Sequence, residues 1–259
     1  MMKDIFNDMM APSGAEVSII PVMQMDSVMQ IDEAQLPDSL PILALRNAVI
    51  FPGTVYPITI GREKSIRLIE DAERNNAFIG AVPQNDLSVE DPRKDDLYGY
   101  GTVAKIVKTL EMPDGTITAI LQGYSRFEVA DIFDYEPYML GRVRYLEDFA
   151  PENDTKTRMI AESLKEKATQ IIRSSSLVPR EALSALKGID SFEFLVNFIA
   201  TTIEVENYMD KVELLQYADL RARAMKLLSV LDTQVELQKI KQEINQKVKS
   251  EIDQQQREY

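Results

Sequence analysis

The stretch LPILALRNAVIFPGTVYPITIGREKSI, residues 40–66, decides the fold of this chain. Two short apolar runs lie in its first half and end at Pro52-Gly53. Proline presets φ at about −65° and glycine tolerates positive φ, so this pair predicts a type II turn between two strands. Pro57 places the second strand at a sheet edge or at a strand start. Gly61 follows that strand, and a helix is predicted after it.

Residues 98–134 predict a long β-hairpin. Pro113-Asp114-Gly115 lies between its two halves and is a strong turn sequence. Gly123 interrupts the alternation of the second half, which predicts a bulge or a sharp bend. A last strand is predicted over residues 138–146. On strand patterning alone, residues 38–150 form a compact β-rich subdomain.

From Ala150-Pro151 onward the composition shifts, and residues 151–259 predict a helical subdomain. Its last segment has neither Gly nor Pro in the 40 residues from about 218 to 257. As one helix it would span about 60 Å at about 1.5 Å per residue.

The apolar residues of that helix thin out beyond Leu237. They form a single stripe amid Lys, Glu and Gln: Ile240, Ile244, Val248 and Ile252. So narrow a stripe, far from any core, predicts contact with a partner helix or a projecting arm. The alternative is a solvent-exposed helix supported by Lys–Glu pairs four residues apart.

Residues 1–37 predict a disordered, acidic, Met-rich extension. Seven of the chain's 12 methionines fall here, and six acids against one lysine give it a charge of −5. The alternative is that residues 17–23, VSIIPVM, form a binding segment, because methionine is an adaptable contact residue. That segment could add to a neighbour's sheet edge or fill a groove.

The composition excludes much chemistry. The chain has no cysteine and no histidine, which removes disulfides, thiolate nucleophiles, the commonest general base and the commonest metal ligand. No phosphate-binding G-x-x-x-x-G-K-[ST] loop is present. We therefore expect no catalytic residue, no metal and no cofactor in this chain.

The charge and hydropathy limit the partners. A net charge of −13 repels nucleic acid, so no nucleic-acid partner is expected. No run of about 18 apolar residues is long enough to span a membrane. The first residues carry acids where a signal or transit peptide carries bases. These features predict a cytoplasmic protein.

Four blocks carry a family resemblance: LALRNAVIFPG at 43–53, GREKSI at 61–66, GYGTVA at 99–104 and LQGYSRF at 121–127. Together they resemble the N-terminal domain of Lon-type ATP-dependent proteases. The resemblance implies an α+β fold. It consists of a small mixed β pseudo-barrel (PUA-like) subdomain with one helix, followed by an α-helical bundle that ends in a long C-terminal helix.

The resemblance also implies a function, the capture of unfolded or misfolded protein substrates and assembly of a homo-oligomer, a hexamer in the parent. ATP and magnesium would bind only in a downstream ATPase module, and a Ser–Lys dyad outside this chain would cut the substrate. The alternative is a stand-alone interaction module of the same fold. A Walker loop and a protease domain encoded past Tyr259 would favour the first reading.

Discrimination of unfolded from folded chains requires exposed apolar side chains. The candidate substrate-binding residues surround the first turn and the end of the acidic loop: Phe51, Pro52, Val55, Tyr56, Leu97 and Tyr98. The family motif assigns a substrate role to none of them. The alternative is that Phe51, Val55 and Tyr56 are ordinary core residues.

Overall fold

The structure, a computed structural model, describes residues 36–176 and 178–257, the last seven of them by backbone alone. The predicted extension therefore lies outside the described residues apart from its last two, as does the segment 17–23. Leu36 is buried, and the carbonyl oxygen of Pro37 accepts a hydrogen bond from the Tyr145 hydroxyl at 2.5 Å. These two residues pack on the sheet.

Six strands form one mixed sheet with the order β2-β5-β4-β3-β1-β6. The strands are β1 (Ser39–Leu45), β2 (Val55–Ile60), β3 (Ile79–Pro83), β4 (Tyr100–Glu111), β5 (Ile117–Asp134) and β6 (Leu140–Leu146). β1 runs parallel to β3, and every other pair is antiparallel. β5 also pairs with β6, so the sheet curves round on itself as a pseudo-barrel. The predicted mixed, curved sheet is confirmed.

The bend in β5 lies at the predicted glycine. The register between β4 and β5 shifts where Thr102 faces Arg126 and Ala104 faces Gly123. The Gly123 N–H donates to the Thr54 carbonyl at 2.9 Å, and its own carbonyl accepts from the Gly53 N–H at 3.0 Å. This irregularity lets one long strand pair with β2, β4 and β6 in turn.

The first turn has the predicted geometry. Gly53 has φ of 76°, which is the left-handed region that the third position of a type II turn requires. The Thr54 N–H donates to the Phe51 carbonyl at 3.3 Å and closes the turn. β2 follows it at the edge of the sheet, as Pro57 predicts.

Six helices complete the described part of the chain. They are α1 (Glu63–Asn75), α2 (Thr155–Ser174), α3 (Glu181–Gly188), α4 (Phe192–Thr202), α5 (Tyr208–Val212) and α6 (Leu220–Arg257), with 3₁₀ turns at Lys94–Asp96 and Glu213–Gln216. Ser191 caps α4 by accepting from the Phe194 N–H at 3.2 Å. The last helix has the predicted length, so the α+β class with a long C-terminal helix is confirmed.

The sheet and the helices share a core. The main helical cluster contains Leu164, Leu195, Phe198 and Leu227, and Phe51 from the first turn belongs to it. Two smaller clusters lie within the curved sheet. The first turn therefore joins the sheet to the helices rather than facing solvent.

A partly buried lysine closes the end of α4. Lys211 Nζ donates to the carbonyl oxygens of Thr201 at 3.1 Å and Ile203 at 3.0 Å. Unpaired carbonyls and the helix dipole favour a cation at a helix C-terminus. Burial nevertheless lowers the pKa of Lys211 to about 8, although the Glu204 carboxylate opposes that shift.

The lowered pKa of Lys211 predicts that the stability of the chain depends on pH. Its pKa in the folded chain lies below the ordinary value of 10.5, so protonation favours the unfolded chain. The free energy of unfolding should therefore rise between pH 8 and pH 10.5. From pH 7.5 to 9.5 we expect a rise of about 1.5 kcal/mol in urea unfolding, which Lys211→Met should remove.

The matched control is Lys226→Met. A hydrogen bond to Glu213 raises the pKa of Lys226, so this group cannot produce the rise. Lys226→Met should keep the pH profile of the unmodified chain. Identical profiles for the unmodified chain and Lys211→Met would contradict the prediction.

Candidate substrate-binding surfaces

Most of the predicted substrate-binding residues are not exposed. Phe51 has an exposed fraction of 0%, and Pro52, Val55 and Leu97 are also buried. The expectation that these four form an exposed apolar surface is wrong. Phe51 of the turn packs in the helical core, whereas Leu97 packs in a cluster of the curved sheet. For Phe51 and Val55 the alternative, ordinary core residues, describes the structure.

The turn is held against α4 by hydrogen bonds. The Asn197 amide donates to the Pro52 carbonyl at 3.2 Å, and the hydroxyl oxygens of Thr201 and Thr54 lie 3.1 Å apart. All four residues are buried. Buried polar groups need such partners, so this contact fixes the sheet against the helices.

Two fully buried arginines continue this polar contact. Arg126 Nε and Arg223 Nη2 both donate to Asp148 Oδ1, at 2.6 and 2.9 Å. Arg126 Nη1 also donates to the Leu215 carbonyl at 2.6 Å, and Arg223 Nη1 to Asn197 Oδ1 at 2.9 Å. β5, α4 and α6 thus meet at one charged cluster.

The electrostatics of this cluster depend on Asp148. Burial lowers the pKa of Arg223, and the Asp148 carboxylate opposes that change. Burial also raises the pKa of Glu193, and Asp148 adds to the effect. A buried cluster with two guanidinium groups on one carboxylate is a structural junction, since its groups are occupied with one another.

Tyr56 and Tyr98 remain partly exposed, and their role as substrate contacts stays a prediction. The Tyr98 ring lies 5.7 Å from that of Tyr100, and both pack on the helical core. Burial raises the pKa of Tyr98, and the Glu213 carboxylate adds to the shift. A half-buried tyrosine pair offers a flat apolar surface with polar edges.

The exposed large apolar side chains lie elsewhere. Among the described residues they are Val107, Met112, Phe133, Phe149 and Met159, together with four residues of α6, Met225, Ile240, Ile244 and Val248. Phe149 has an exposed fraction of 62%, although its backbone is held to Ala218 by an N–H···O bond of 2.8 Å. In the sequence Phe149 is a single aromatic residue in an otherwise acidic linker.

The stripe on the long helix is exposed at the three positions whose side chains the structure describes. Ile240, Ile244 and Val248 have exposed fractions of 52%, 54% and 49%. The Ile252 side chain lies outside the described residues. Lys241 forms an ion pair of 2.8 Å with Glu206, which holds α6 to the loop before α5. What the stripe contacts stays a prediction.

A groove of about 320 Å³ lies between the end of β1 and β2. It is lined by residues 43–46 and 58–62 together with Ser65 and Glu90. Arg46 Nη2 lies 3.2 Å from Glu90 Oε1, and Arg62 donates to the Gln84 side chain.

Within the part of the chain that the structure describes, no three acidic side chains are grouped as a metal ion would need. None of the described helices is both long enough and apolar enough to cross a membrane.

Two solved structures share this fold. The N-terminal domain of a Lon protease from the Mycobacterium avium complex aligns with a TM-score of 0.59 at 18% identity, covering 75% of this chain and 98% of that one. A Lon N-terminal domain protein from Xanthomonas campestris gives 0.53 at 20% identity, covering 74% and 97%. The fold is thus that of Lon N-terminal domains.

The sequence comparisons define the family. The family model of the ATP-dependent protease La (LON) substrate-binding domain matches residues 39–233. The chain is 42% identical over 246 residues to the Lon protease of Flavobacterium johnsoniae and 39% identical over 244 residues to that of Cytophaga hutchinsonii. These matches cover 95% and 94% of this chain but 30% of each relative. The chain belongs to the Lon substrate-binding domain family.

Proposed function

We propose that this chain is the substrate-recognition and assembly region of an ATP-dependent Lon protease that degrades misfolded and regulatory proteins. The family match over residues 39–233 carries the proposal. In the proposed protease, the ATPase ring and a Ser–Lys serine protease domain lie outside this chain. ATP and magnesium bind in the ATPase ring. The assembly is a cytoplasmic hexamer without a nucleic-acid partner.

The physical requirement is selective binding of unfolded chains. Folded proteins rarely present large apolar patches, so exposed apolar side chains on the receptor distinguish unfolded from folded partners. Phe149 and Met159 supply such side chains on the helical side, each with an exposed fraction of 62%. The exposed stripe on α6 is the surface proposed for contacts between copies.

The proposal predicts a difference in affinity between two forms of one protein. Reduced, carboxymethylated α-lactalbumin, which stays unfolded, should bind this chain at least tenfold more tightly than native α-lactalbumin does. The reason is that only the unfolded form offers contiguous apolar side chains. Fluorescence anisotropy with each labelled form measures both affinities.

Phe149→Ala should weaken binding of the unfolded form. A substitution at Phe51 cannot serve as the control, because Phe51 is buried. The matched control is Tyr135→Ala, an aromatic change on the far loop of the sheet. Equal affinity for both forms of α-lactalbumin would rule out selective capture. Turnover of ATP or casein by the pure chain would overturn the non-catalytic role.

A further inference from the structure

Two strand edges face the groove without a strand between them. Among the described residues β2 pairs only with β5, and β6 pairs with β1 only along Ser39–Pro41. The second half of β1 therefore pairs with β3 on one side and opens onto the groove on the other.

Hydrogen bonds fix which groups of β1 face the groove. The Leu45 carbonyl accepts from the Gln84 N–H at 2.9 Å on the β3 side, whereas the Ile42 N–H donates to the Met139 carbonyl at 2.8 Å on the β6 side. The two backbone groups of one strand residue point the same way, and successive residues alternate. Both backbone groups of Ala44 thus point towards the groove.

The same rule applies to β2. The Thr54 carbonyl accepts from Gly123 of β5, so Val55, Pro57 and Thr59 direct their backbone groups away from β5. Pro57 has no N–H, which agrees with this assignment because proline is tolerated on a free edge. Thr59 therefore offers one donor and one acceptor, and Ala44 lines the same groove opposite it.

The charges at the groove favour an acidic group. Its lining contains two guanidinium groups, Arg46 and Arg62, against the single carboxylate of Glu90. Burial lowers the pKa of Arg62 and the charge of Arg46 lowers it further, whereas the carboxylates of Glu90 and Asp91 raise it. The lining thus carries one net positive charge, in a chain of net charge −13.

We propose that this groove binds an extended segment of an unfolded client by adding it as a short strand between the free edges of β1 and β2, with an acidic client residue beside Arg46 and Arg62. The inference rests on the proposed function and assigns it a site. The part of β1 that lines the groove, residues 43–45, is about 10 Å long. Main-chain pairing along it would therefore involve about three client residues. Pairing through the main chain suits clients of unrelated sequence.

The experiment uses the full chain and a fluorescein-labelled peptide of alternating threonine and valine that ends in glutamate. Two analogues test the two parts of the inference: one carries alternate N-methylated peptide bonds, and the other ends in lysine. We expect the parent peptide to bind at least fivefold more tightly than either analogue. Equal affinity for the parent and N-methylated peptides would overturn the inference.

Variants test the same contacts from the side of the chain. Thr59→Pro removes the free N–H and should weaken parent-peptide binding at least fivefold, whereas Thr59→Val keeps that N–H and should bind more tightly than Thr59→Pro. Arg46→Gln should reduce the preference for glutamate over lysine. Arg144→Gln, the same charge change on the exposed face of β6, should leave that preference as it is.

Two results separate this inference from the proposed function. If the chain selects unfolded α-lactalbumin but Thr59→Pro binds the peptide as the unmodified chain does, the groove is not the site and the function stands. If the chain does not distinguish the two forms of α-lactalbumin, the function fails and the inference with it. Should Thr59→Pro not fold by circular dichroism, the N-methylated peptide decides.

Discussion

Asp148→Ala should lower the free energy of unfolding by about 3–5 kcal/mol. The Asp148 carboxylate lies between Arg126 and Arg223, whose side chains are both fully buried. Removing it leaves two fully buried guanidinium groups without the carboxylate that they share. A buried charge that loses its partner is far more costly than the pair itself is stabilising.

Urea unfolding followed by circular dichroism measures this loss. The matched control is Glu128→Ala, which breaks the ion pair of Glu128 with Arg144 on the outer face of the sheet. Exposed pairs contribute about 0–1 kcal/mol, so the control should change little. Glu193 lies close enough to interact with both arginines, which sets the lower end of the range. A loss for Asp148→Ala no larger than that for Glu128→Ala would contradict the role of the cluster.

Gly101→Ala should lower the free energy of unfolding by about 3 kcal/mol. A Cβ at Gly101 would lie 2.6 Å from the Ala81 carbonyl oxygen and 2.8 Å from the rings and methyl groups of Phe127 and Val82. The oxygen belongs to the neighbouring strand β3 and cannot move without breaking the β3–β4 pairing. The added methyl group therefore forces the two strands apart.

The neighbouring glycine of the same motif is the control. A Cβ at Gly99 would meet no heavy atom within 4 Å, so Gly99→Ala should leave stability unchanged or raise it slightly. Thermal or urea unfolding of the two variants side by side checks the difference. Equal stability for Gly99→Ala and Gly101→Ala would show that the strands yield to the methyl group.

The motif residues that carried the family resemblance have identifiable structural roles. Gly101 and Gly123 lie where another backbone approaches closely, and Arg126 forms half of the buried arginine pair. In the sequence Gly101 and Arg126 were recognisable only as parts of a pattern, whereas Gly123 already predicted a bulge or a bend. Their physical meaning required the partner atoms, which come from β3, the first turn and α6.

Local features were predicted well because they depend on neighbouring residues. The turn at Pro52-Gly53 follows from two residues with special φ, and the hairpin turn ending at Gly115, with φ of 85°, follows in the same way. The long helix follows from the absence of Gly and Pro over residues 218–257. None of these needs a contact from elsewhere in the chain.

The candidate site was predicted less well. Exposure of Phe51 was inferred from its place beside a turn, and turns usually lie at the surface. The amide that covers this turn belongs to Asn197, 145 residues further along the chain. Phe149 shows the reverse case, an aromatic side chain left exposed because its backbone is held to Ala218 while the ring has no covering element.

The sequence by itself determined most of the elements, the α+β class and the lack of histidine and cysteine chemistry, and it limited the strand with Pro57 to a sheet edge or a strand start. Only the tertiary structure decided which apolar residues are buried, which charges meet at Asp148 and where two unpaired strand edges open onto one groove. The reason is that turns and helices are set by interactions a few residues apart. Burial and groove formation are set by segments that lie far apart in the chain and meet only when it folds.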